Sequence, residues 1–215
     1  MQNIEEHSDG VGKPQRSYRG SSPEQRRLDR RAKLILASKG LFGAQGFHST
    51  TVKAICEAAG LTERYFYESF ANSEDLFVTM HRQTSAHIIS RLRQASHLQN
   101  ERPARVMAML DTYYGDIAVD PVTARLFAVD AGTISPLARE VCTSWRHAFG
   151  QLLTDALPHP IPSSDVLCNG VIRGVLGIGV DWMESGFALP RRAIVQGAAA
   201  LVRSLEVMDL ESGWS

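Results

Sequence analysis

The 215-residue chain is long enough for one compact all-helical unit or for two small domains that share a core. Its hydrophobic fraction of 44% and its charged fraction of 21% are ordinary for a soluble globular protein. The formal net charge is zero, which excludes any inference of a nucleic-acid or membrane partner from overall charge alone.

Positive charge is nevertheless concentrated near the N-terminus. Residues 11–70 contain eleven Lys and Arg residues against five acidic residues, so this segment carries +6 and the remainder carries −6. A basic region on an otherwise acidic chain suits a polyanion that binds at one end only. The alternative is a solvated helix face, and charge alone does not decide between the two.

Three cysteines, Cys56, Cys142 and Cys168, lie far apart and form no CxxC or histidine-rich pattern. We therefore expect buried apolar side chains in a reducing cytosol, a cytoplasmic protein and no metal site. The N-terminal residues contain no apolar run, so we expect no signal peptide. The most apolar window, residues 166–180, is too short to span a bilayer and contains Arg173, so we expect a soluble interior and no membrane partner.

Helix signals begin after a Gly- and Ser-rich tail, residues 1–22, that we expect to be disordered. Four helices are predicted to follow, and each has residues at its boundaries that favour a helix start or a helix end. These boundary residues are Ser22, Pro23, Gly46, Thr51, Gly60, Thr62 and Asn72.

The remainder of the chain is also predicted to be helical. Three prolines, Pro103, Pro121 and Pro136, are suited to the first turn of a helix. We count nine to ten helices, no convincing strand and no fixed-period repeat, so the predicted fold class is all-α. Residues 73–209 are assigned to the second domain, and residues 210–215 to a C-terminal tail.

The segment Leu61–Phe70 separates two kinds of side chain when it is placed on a helix at 100° per residue. Phe66 and Phe70 share one face, which we expect to be buried. Arg64 and Glu68 lie almost opposite, with a tyrosine on either side. Two short helices joined by a tight turn, with polar groups outward, predict a helix-turn-helix in which Arg reads guanine and Tyr bonds phosphate. The alternative is an ordinary helical corner with a solvated face.

A wider pattern surrounds this segment between residues 34 and 77. Its members are Ala37, Leu41, Phe42, Gly46, Phe47, Thr50, Thr51, Val52, Ile55, Ala58, Gly60, Phe66, Tyr67, Phe70, Asn72, Glu74, Asp75 and Leu76. In order and spacing the pattern resembles the N-terminal domain of the tetracycline-repressor (TetR) family of bacterial regulators. The resemblance implies a three-helix helix-turn-helix domain, here residues 23–72, followed by a helical domain for effector binding and dimerisation.

The resemblance also implies contacts with double-stranded DNA. Thr51 and Tyr67 would contact phosphates, and Lys53 would approach the backbone or a base. The front of the recognition helix would consist of Thr62, Glu63, Arg64 and Tyr65. Ser73 stands where the family often has a phosphate-clamping Lys, so we expect a salt slope shallower by about one unit. Glu68 replaces a commonly neutral or basic residue and would accept from a cytosine amino group or, as we favour, repel off-target DNA.

Residues 166–180 contain four glycines within one predicted helix, and each costs about 1 kcal/mol relative to alanine. A close contact with another helix should offset that cost. As the resemblance implies, we interpret this helix and the last one as a four-helix homodimer interface, and packing within the monomer is the alternative. The predicted interface residues are Gly170, Gly174, Gly177, Ile178, Ala198, Val202 and Leu205.

Large side chains occupy the helices between the two ends of the chain, where relatives in the family have an effector pocket. The candidates are Met107, Leu110, Tyr113, Tyr114, Phe127, Trp145, His147 and Phe149. Such a pocket suits a small hydrophobic or aromatic effector, and ordinary core packing is the alternative for each residue. We expect no cofactor.

Catalytic motifs are absent from the sequence, which has no GxSxG, no phosphate-binding glycine loop and no HExxH. We therefore expect a regulator and not an enzyme. The main hypothesis is a DNA-binding transcriptional regulator, most simply a repressor released from a near-palindromic operator by a small molecule. The alternative is a helical interaction or ligand-binding module without DNA-binding function.

Overall fold

The computed structural model describes residues 22–128, 134–158 and 166–209. In these ranges the chain forms nine α-helices and no strand, which confirms the predicted all-α fold class. The helices are α1 (Pro23–Gln45), α2 (Val52–Ala59), α3 (Glu63–Tyr67), α4 (Ser73–His97), α5 (Arg102–Val119), α6 (Pro121–Ala128), α7 (Pro136–Thr154), α8 (Val166–Glu184) and α9 (Arg191–Asp209). Apart from Ser22, the two predicted tails lie outside the described residues.

The boundary residues of the first three helices act largely as their chemistry predicts. Ser22 caps α1, and Thr51 Oγ1 accepts a hydrogen bond from Ala54 N at 3.1 Å to open α2. Gly60 ends α2 with φ 64° and ψ 36°, a left-handed conformation that costs glycine little. Thr62 precedes α3, but its side chain makes no capping hydrogen bond.

The N-terminal core forms where α1, α2 and α3 meet the start of α4. Phe66 and Phe70 are both buried, with their ring centroids 5.8 Å apart. On α1 the buried positions are Leu34, Ser38, Phe42 and Gly43, whereas Leu36 is 71% exposed. Leu34, Ser38 and Phe42 lie four positions apart on the one side of α1 that neighbouring helices cover, and Leu36 lies on the uncovered side.

The larger core lies among α4, α5, α7, α8 and α9. Helix α4 packs against α5 and α7, while α9 packs against α5 and α8. Tyr114 is fully buried at the centre, and its hydroxyl donates a hydrogen bond to Val175 O at 2.8 Å. This bond joins α5 to α8 and satisfies a polar group that would be costly to bury alone.

Helices α1 and α6 connect the two cores. A Cβ atom at Gly43 would collide with the carbonyl group of Val122, so only glycine permits this close approach. Lys39 Nζ lies 3.2 Å from Asp120 Oδ2 at the same contact. Leu126 and other residues of α6 and α7 also belong to the N-terminal core, so that core is not closed at residue 72. The domain boundary there stays a prediction.

Candidate nucleic-acid interface and effector cavity

Helix α3 places its buried ring and its polar side chains on opposite sides. Phe66 has no exposed surface, whereas the Arg64 side chain is 85% exposed and Tyr67 is 58% exposed. Thr62 and Glu63 are also exposed. This arrangement is the one that the helical wheel predicted for the segment.

Two hydroxyl residues and one lysine that the sequence also predicted to contact DNA lie at the start of α2 and of α4. The Thr51 hydroxyl accepts the capping hydrogen bond of α2 and retains its own hydrogen for donation. Ser73 is half-buried in the first turn of α4. Lys53 is exposed, with Nζ 3.9 Å from the carboxylate of Glu57, a distance that leaves the ammonium group well solvated.

An ion-pair chain lies beside the exposed face, and sequence reasoning missed one of its members. Arg64 Nε lies 3.1 Å from Glu68 Oε1, and the other oxygen of that carboxylate lies 3.8 Å from Arg30 Nη2. Arg30 comes from α1, and its guanidinium carbon lies 4.4 Å from the ring centroid of Tyr65. Tyr65 is therefore half-buried rather than freely exposed.

The neighbouring Arg31 holds the end of α3 against α1. Its Nη1 donates to Ser69 O at 2.8 Å, and its guanidinium carbon lies 4.1 Å from the ring centroid of Phe70. A cation over an aromatic face contributes about 0.5–1 kcal/mol or more. Two consecutive arginines of α1 thus fix the position of the polar helix face.

The N-terminal region is similar to a known protein family. Residues 34–80 match the family described as bacterial regulatory proteins, tetR family. The chain carries the DNA-binding domain of a tetR-family transcriptional regulator. The matched region of the regulator contains α2 and α3 together with the end of α1 and the start of α4.

Relatives that cover most of the regulator are also transcriptional regulators. The HTH-type transcriptional activator FasR of Mycolicibacterium smegmatis is 23% identical over 180 residues, which cover 80% of either chain. The fatty acid degradation regulator FadR of Bacillus halodurans shares the fold with a TM-score of 0.68 at 14% identity, over 86% of this chain and 96% of that chain. FadR of Bacillus subtilis in complex with stearoyl-CoA gives 0.67 at 16% identity, over 80% and 96%. These relatives are regulators and not enzymes.

A cavity of about 170 Å³ lies where α1 and α6 meet α4 and α5. Two of the predicted pocket residues, Tyr113 and Phe127, line it. The sequence reasoning missed its other lining residues, which are Lys39, Thr84, His87, Ile88, Arg91, Asp116, Ile117, Val119, Asp120, Thr123 and Ala124. The lining residues on α4 recur three or four positions apart, and this spacing could have predicted that they share one face of the helix.

The remaining predicted pocket residues lie elsewhere in the second domain. Trp145 lines a separate groove of about 310 Å³ between α4 and α7. The five residues that line neither space are Met107, Leu110, Tyr114, His147 and Phe149. Among the described side chains, the buried indole nitrogen Trp145 Nε1 has no hydrogen-bond partner. A ligand with an acceptor atom would satisfy such a donor.

Two ion pairs stand at the rim of the 170 Å³ cavity. Arg91 Nη1 lies 2.7 Å from Asp116 Oδ1, and Lys39 pairs with Asp120. Burial raises the pKa of Asp116 above its ordinary value, although Arg91 acts in the opposite direction. Burial acts the same way on Asp120, but hydrogen bonds from Thr123 and Lys39 bring the pKa of that carboxyl below its ordinary value. The rim therefore offers two cations, each already paired with a carboxylate.

His81 on α4 is fully buried, with its ring centroid 4.7 Å from that of Phe127, which lines the cavity. Its Nδ1 lies 3.1 Å from Ser85 Oγ, and its Nε2 lies 3.2 Å from Cys142 Sγ. The Ser85 hydroxyl donates to the His81 carbonyl at 2.7 Å, so Nδ1 carries the proton and Nε2 accepts from the thiol. Burial lowers the pKa of His81 to about 4, and the positive charge of Arg146 adds to the effect. His81 is a neutral core residue.

The glycines of α8 divide into two pairs. A Cβ at Gly179 would lie 2.8 Å from Ile117 Cδ1, and one at Gly174 would lie 3.3 Å from a leucine of α9. These two glycines therefore permit close packing inside the chain. Added Cβ atoms at Gly170 and Gly177 would meet nothing within 4 Å, because both positions face outward.

On α9 the structure corrects three of the predicted interface positions. Ala198, Val202 and Leu205 have no exposed surface and pack in the core of their own chain, so they have no surface to offer a second one. Ile178 of α8 is half-buried against the same core. Alongside exposed polar residues such as Arg173 and Gln196, the outward side of the two helices includes the small or apolar residues Val166, Gly170, Gly177, Ala193, Gly197 and Ala200. We call these six residues the outer face of α8 and α9.

Helix α8 is longer than the apolar window that the sequence marked. By length and composition alone, Val166–Glu184 could cross a bilayer, and 39% of its apolar window is buried inside the chain. A helix that packs against a protein core on one side passes the same test. Its inner side contacts α5, α6, α7 and α9, as expected for a core helix with one uncovered face.

The three cysteines of the chain, Cys56, Cys142 and Cys168, are buried as predicted, and none of them forms a disulfide. Burial raises the pKa of the Cys56 thiol above its ordinary value. Over residues 22–128, 134–158 and 166–209, no group of three or more His, Cys, Asp or Glu side chains could hold a metal ion.

Proposed function

We propose that the regulator binds a near-palindromic operator as a homodimer, represses transcription there, and leaves the operator when a small hydrophobic effector fills its cavity. The observation that carries the DNA-binding part is the exposed polar face of α3 above a buried Phe66 and Phe70. A helix held rigidly at its base and polar at its surface is what major-groove readout needs.

Within this proposal, exposed side chains around α3 divide into two roles. Arg64 reads a base edge, because its side chain is 85% exposed and a guanidinium group can donate two parallel hydrogen bonds. Thr51 and Tyr67 donate hydroxyl hydrogens to phosphates, and Lys53 adds a charge contact. The remaining contacts come from the front of the helix and from the start of α4, namely Thr62, Glu63, Tyr65 and Ser73.

Homodimerisation is supported by the outer face of α8 and α9. This face is small-residued and apolar, with Val166 88% exposed, and it lies on the side away from the core. Two such faces in contact would form a four-helix interface, in which Gly170 and Gly177 allow the backbones to approach closely. The two-fold symmetry of that dimer matches the two half-sites of a palindrome.

The effector class is supported by the cavity chemistry together with one relative. The 170 Å³ cavity is mainly apolar inside and has the cations Lys39 and Arg91 at its rim, each paired with a carboxylate. FadR of Bacillus subtilis is described in complex with stearoyl-CoA, an acyl chain on an anionic carrier. We therefore propose an acyl compound as the effector, with its chain in the cavity and its polar end near the cations.

The DNA-binding part is tested by offering random-sequence DNA to the purified regulator and sequencing what it retains. We expect a near-palindrome whose half-sites lie about 10 base pairs apart, or a multiple of that spacing. Retention that selects no common sequence would support the alternative of a helical module without DNA-binding function.

The effector part is tested with acyl-CoA compounds of increasing chain length added to the regulator–operator complex. We expect release by a matching chain length, and loss of that response in Ala124→Phe, which narrows the cavity. Ala148→Phe is the matched control, because Ala148 lines the separate groove between α4 and α7. Equal responses of the two variants would contradict the assigned cavity.

The sign of regulation is tested by transcription in vitro from a promoter that contains the selected operator. We expect less transcript when the regulator is added and recovery when the effector is present. The relative FasR is described as an activator, and an increase in transcript would place this regulator with it.

A further inference from the structure

Glu68 lies at the centre of a chain of three charged groups that joins α1 to α3. One carboxylate oxygen, Oε1, accepts from Arg64 Nε at 3.1 Å. The other, Oε2, lies 3.8 Å from Arg30 Nη2. Arg30 is only 25% exposed and its position is fixed over the ring of Tyr65. The carboxylate is thus held between one anchored guanidinium and one exposed guanidinium.

The atom that Arg64 uses in this pair is informative. A guanidinium group has five N–H donors, and Glu68 engages only the one on Nε. No acceptor among the described residues binds Nη1 or Nη2 of Arg64, and that end of the side chain is exposed. Two parallel N–H groups on one end of an arginine are what guanine O6 and N7 accept in the major groove.

We propose that Glu68 is a positioning residue for base readout: it grips Arg64 by Nε and aims the two terminal nitrogens at a guanine, while Arg30 holds Glu68 in place. The proposal rests on the proposed DNA-binding function. In this proposal Glu68 makes no contact with DNA. Arg30 of α1 contributes to base specificity indirectly, because it holds the carboxylate that orients Arg64.

The geometry disfavours the two roles that the sequence left open for Glu68. Readout of a cytosine amino group needs an oxygen directed to the groove, but both oxygens face arginines of the same chain. Repulsion of DNA needs an uncompensated negative charge, whereas Glu68 has two cationic neighbours within 4 Å. An arginine fixed before binding also loses less side-chain freedom when it docks on a base.

The test compares Glu68→Ala with Glu68→Gln on the selected operator and on single-base-pair variants of it, at one fixed salt concentration. Both substitutions remove the same charge, but glutamine retains an oxygen that can accept from Arg64 Nε. The base pair read by Arg64 is first located as the position where Arg64→Ala loses discrimination. For the parent we expect discrimination of roughly 5- to 150-fold there.

We expect Glu68→Ala to reduce discrimination at that base pair by roughly three- to tenfold, and Glu68→Gln to retain most of it. The two variants should bind non-specific DNA with the same affinity as each other, because each loses the same negative charge. Arg30→Met should weaken discrimination at the same base pair, and binding at the other positions should change uniformly. Far-UV circular dichroism and thermal unfolding confirm that each variant is folded.

Two results would overturn the proposal. If alanine and glutamine at position 68 both leave discrimination equal to the parent, Glu68 does not position Arg64 for base readout. If discrimination is lost at a different base pair from that of Arg64→Ala, Glu68 reads a base itself. A parent protein that selects no DNA sequence would refute the DNA-binding function instead, so the two failures are distinguishable.

Discussion

The regulator has two outward surfaces, and they differ in how much the amino-acid sequence reveals about them. The exposed face of α3 is polar, and the fully buried aromatic ring of Phe66 lies on the opposite side of the helix. The outer face of α8 and α9 is apolar and small-residued, and apolar residues such as Val202 also fill the inner side of the same helices.

This contrast shows what helical periodicity measures. A strongly amphipathic helix has one orientation that buries its apolar side, so the wheel identifies both the inner and the outer residues. A helix with small apolar residues on more than one side has several acceptable orientations. Ala198 and Ala200 of α9 illustrate the point, because they are chemically identical and lie about 160° apart at 100° per residue, one buried and one exposed.

Removal of the aromatic ring beneath the polar face of α3 tests which side of this helix is buried. Phe66→Ala deletes a fully buried aromatic side chain, and we expect the free energy of unfolding to fall by about 3–5 kcal/mol. Urea denaturation measures this quantity. Tyr67→Phe changes the exposed neighbour and should stay within about 0.5 kcal/mol of the parent. Equal effects of the two substitutions would mean that the assigned inner and outer sides are wrong.

A charge on the outer face of α8 and α9 tests the second surface. Ala200→Glu brings like charges together in the proposed dimer, and we expect dimerisation to weaken by roughly 3 kcal/mol, more than 100-fold in Kd. Sedimentation equilibrium measures the dissociation constant. Gln94→Glu adds the same charge to an exposed site on α4 and serves as the control. Indistinguishable constants for the two variants would place the dimer contact elsewhere.

Acid tests the interior that supports these surfaces, where His81 of α4 is fully buried. The unfolded chain protonates this histidine below about pH 6.5, whereas the folded chain resists protonation until about pH 4. The free energy of unfolding should therefore fall as the pH drops from 6.5 to 4, by about 3 kcal/mol in total from this residue.

Urea denaturation across that pH range checks the prediction. His81→Leu should lose this part of the pH dependence, whereas the exposed His97→Leu should retain the parental slope. A parental slope in His81→Leu would show that the buried imidazole is not the titrating group.

The smallest expected effect concerns base readout itself. Arg64→Ala should weaken operator binding by about 1–3 kcal/mol and relax specificity at one base pair, because a bidentate contact is lost. Fluorescence anisotropy with the operator and its single-base variants measures both. Arg93→Ala removes an exposed positive charge from α4 and is the control for non-specific electrostatics. If Arg64→Ala retains parental selectivity, the polar face of α3 does not read bases.

Local signals predicted much of the N-terminal fold. The Thr51 cap and the left-handed Gly60 each depend on residues a few positions away, and the structure has both. The cavity was predicted less well, because its walls come from four helices that are distant in sequence. Tyr113 and Phe127 were predicted as lining residues, whereas Arg91 was missed, since only the packing of α4 against α5 brings it to the rim.

Local signals in the amino-acid sequence predicted an all-helical fold, a helix-turn-helix near the N-terminus, and opposite orientations of Phe66 and Arg64. These properties follow from caps, turns and periodicity, which act over a few residues. The pairing of Arg30 with Glu68 and the burial of Ala198 on the inner side of α9 became evident only from the folded structure. Both depend on where distant helices come to rest against each other, and that position follows from the packing of the whole core.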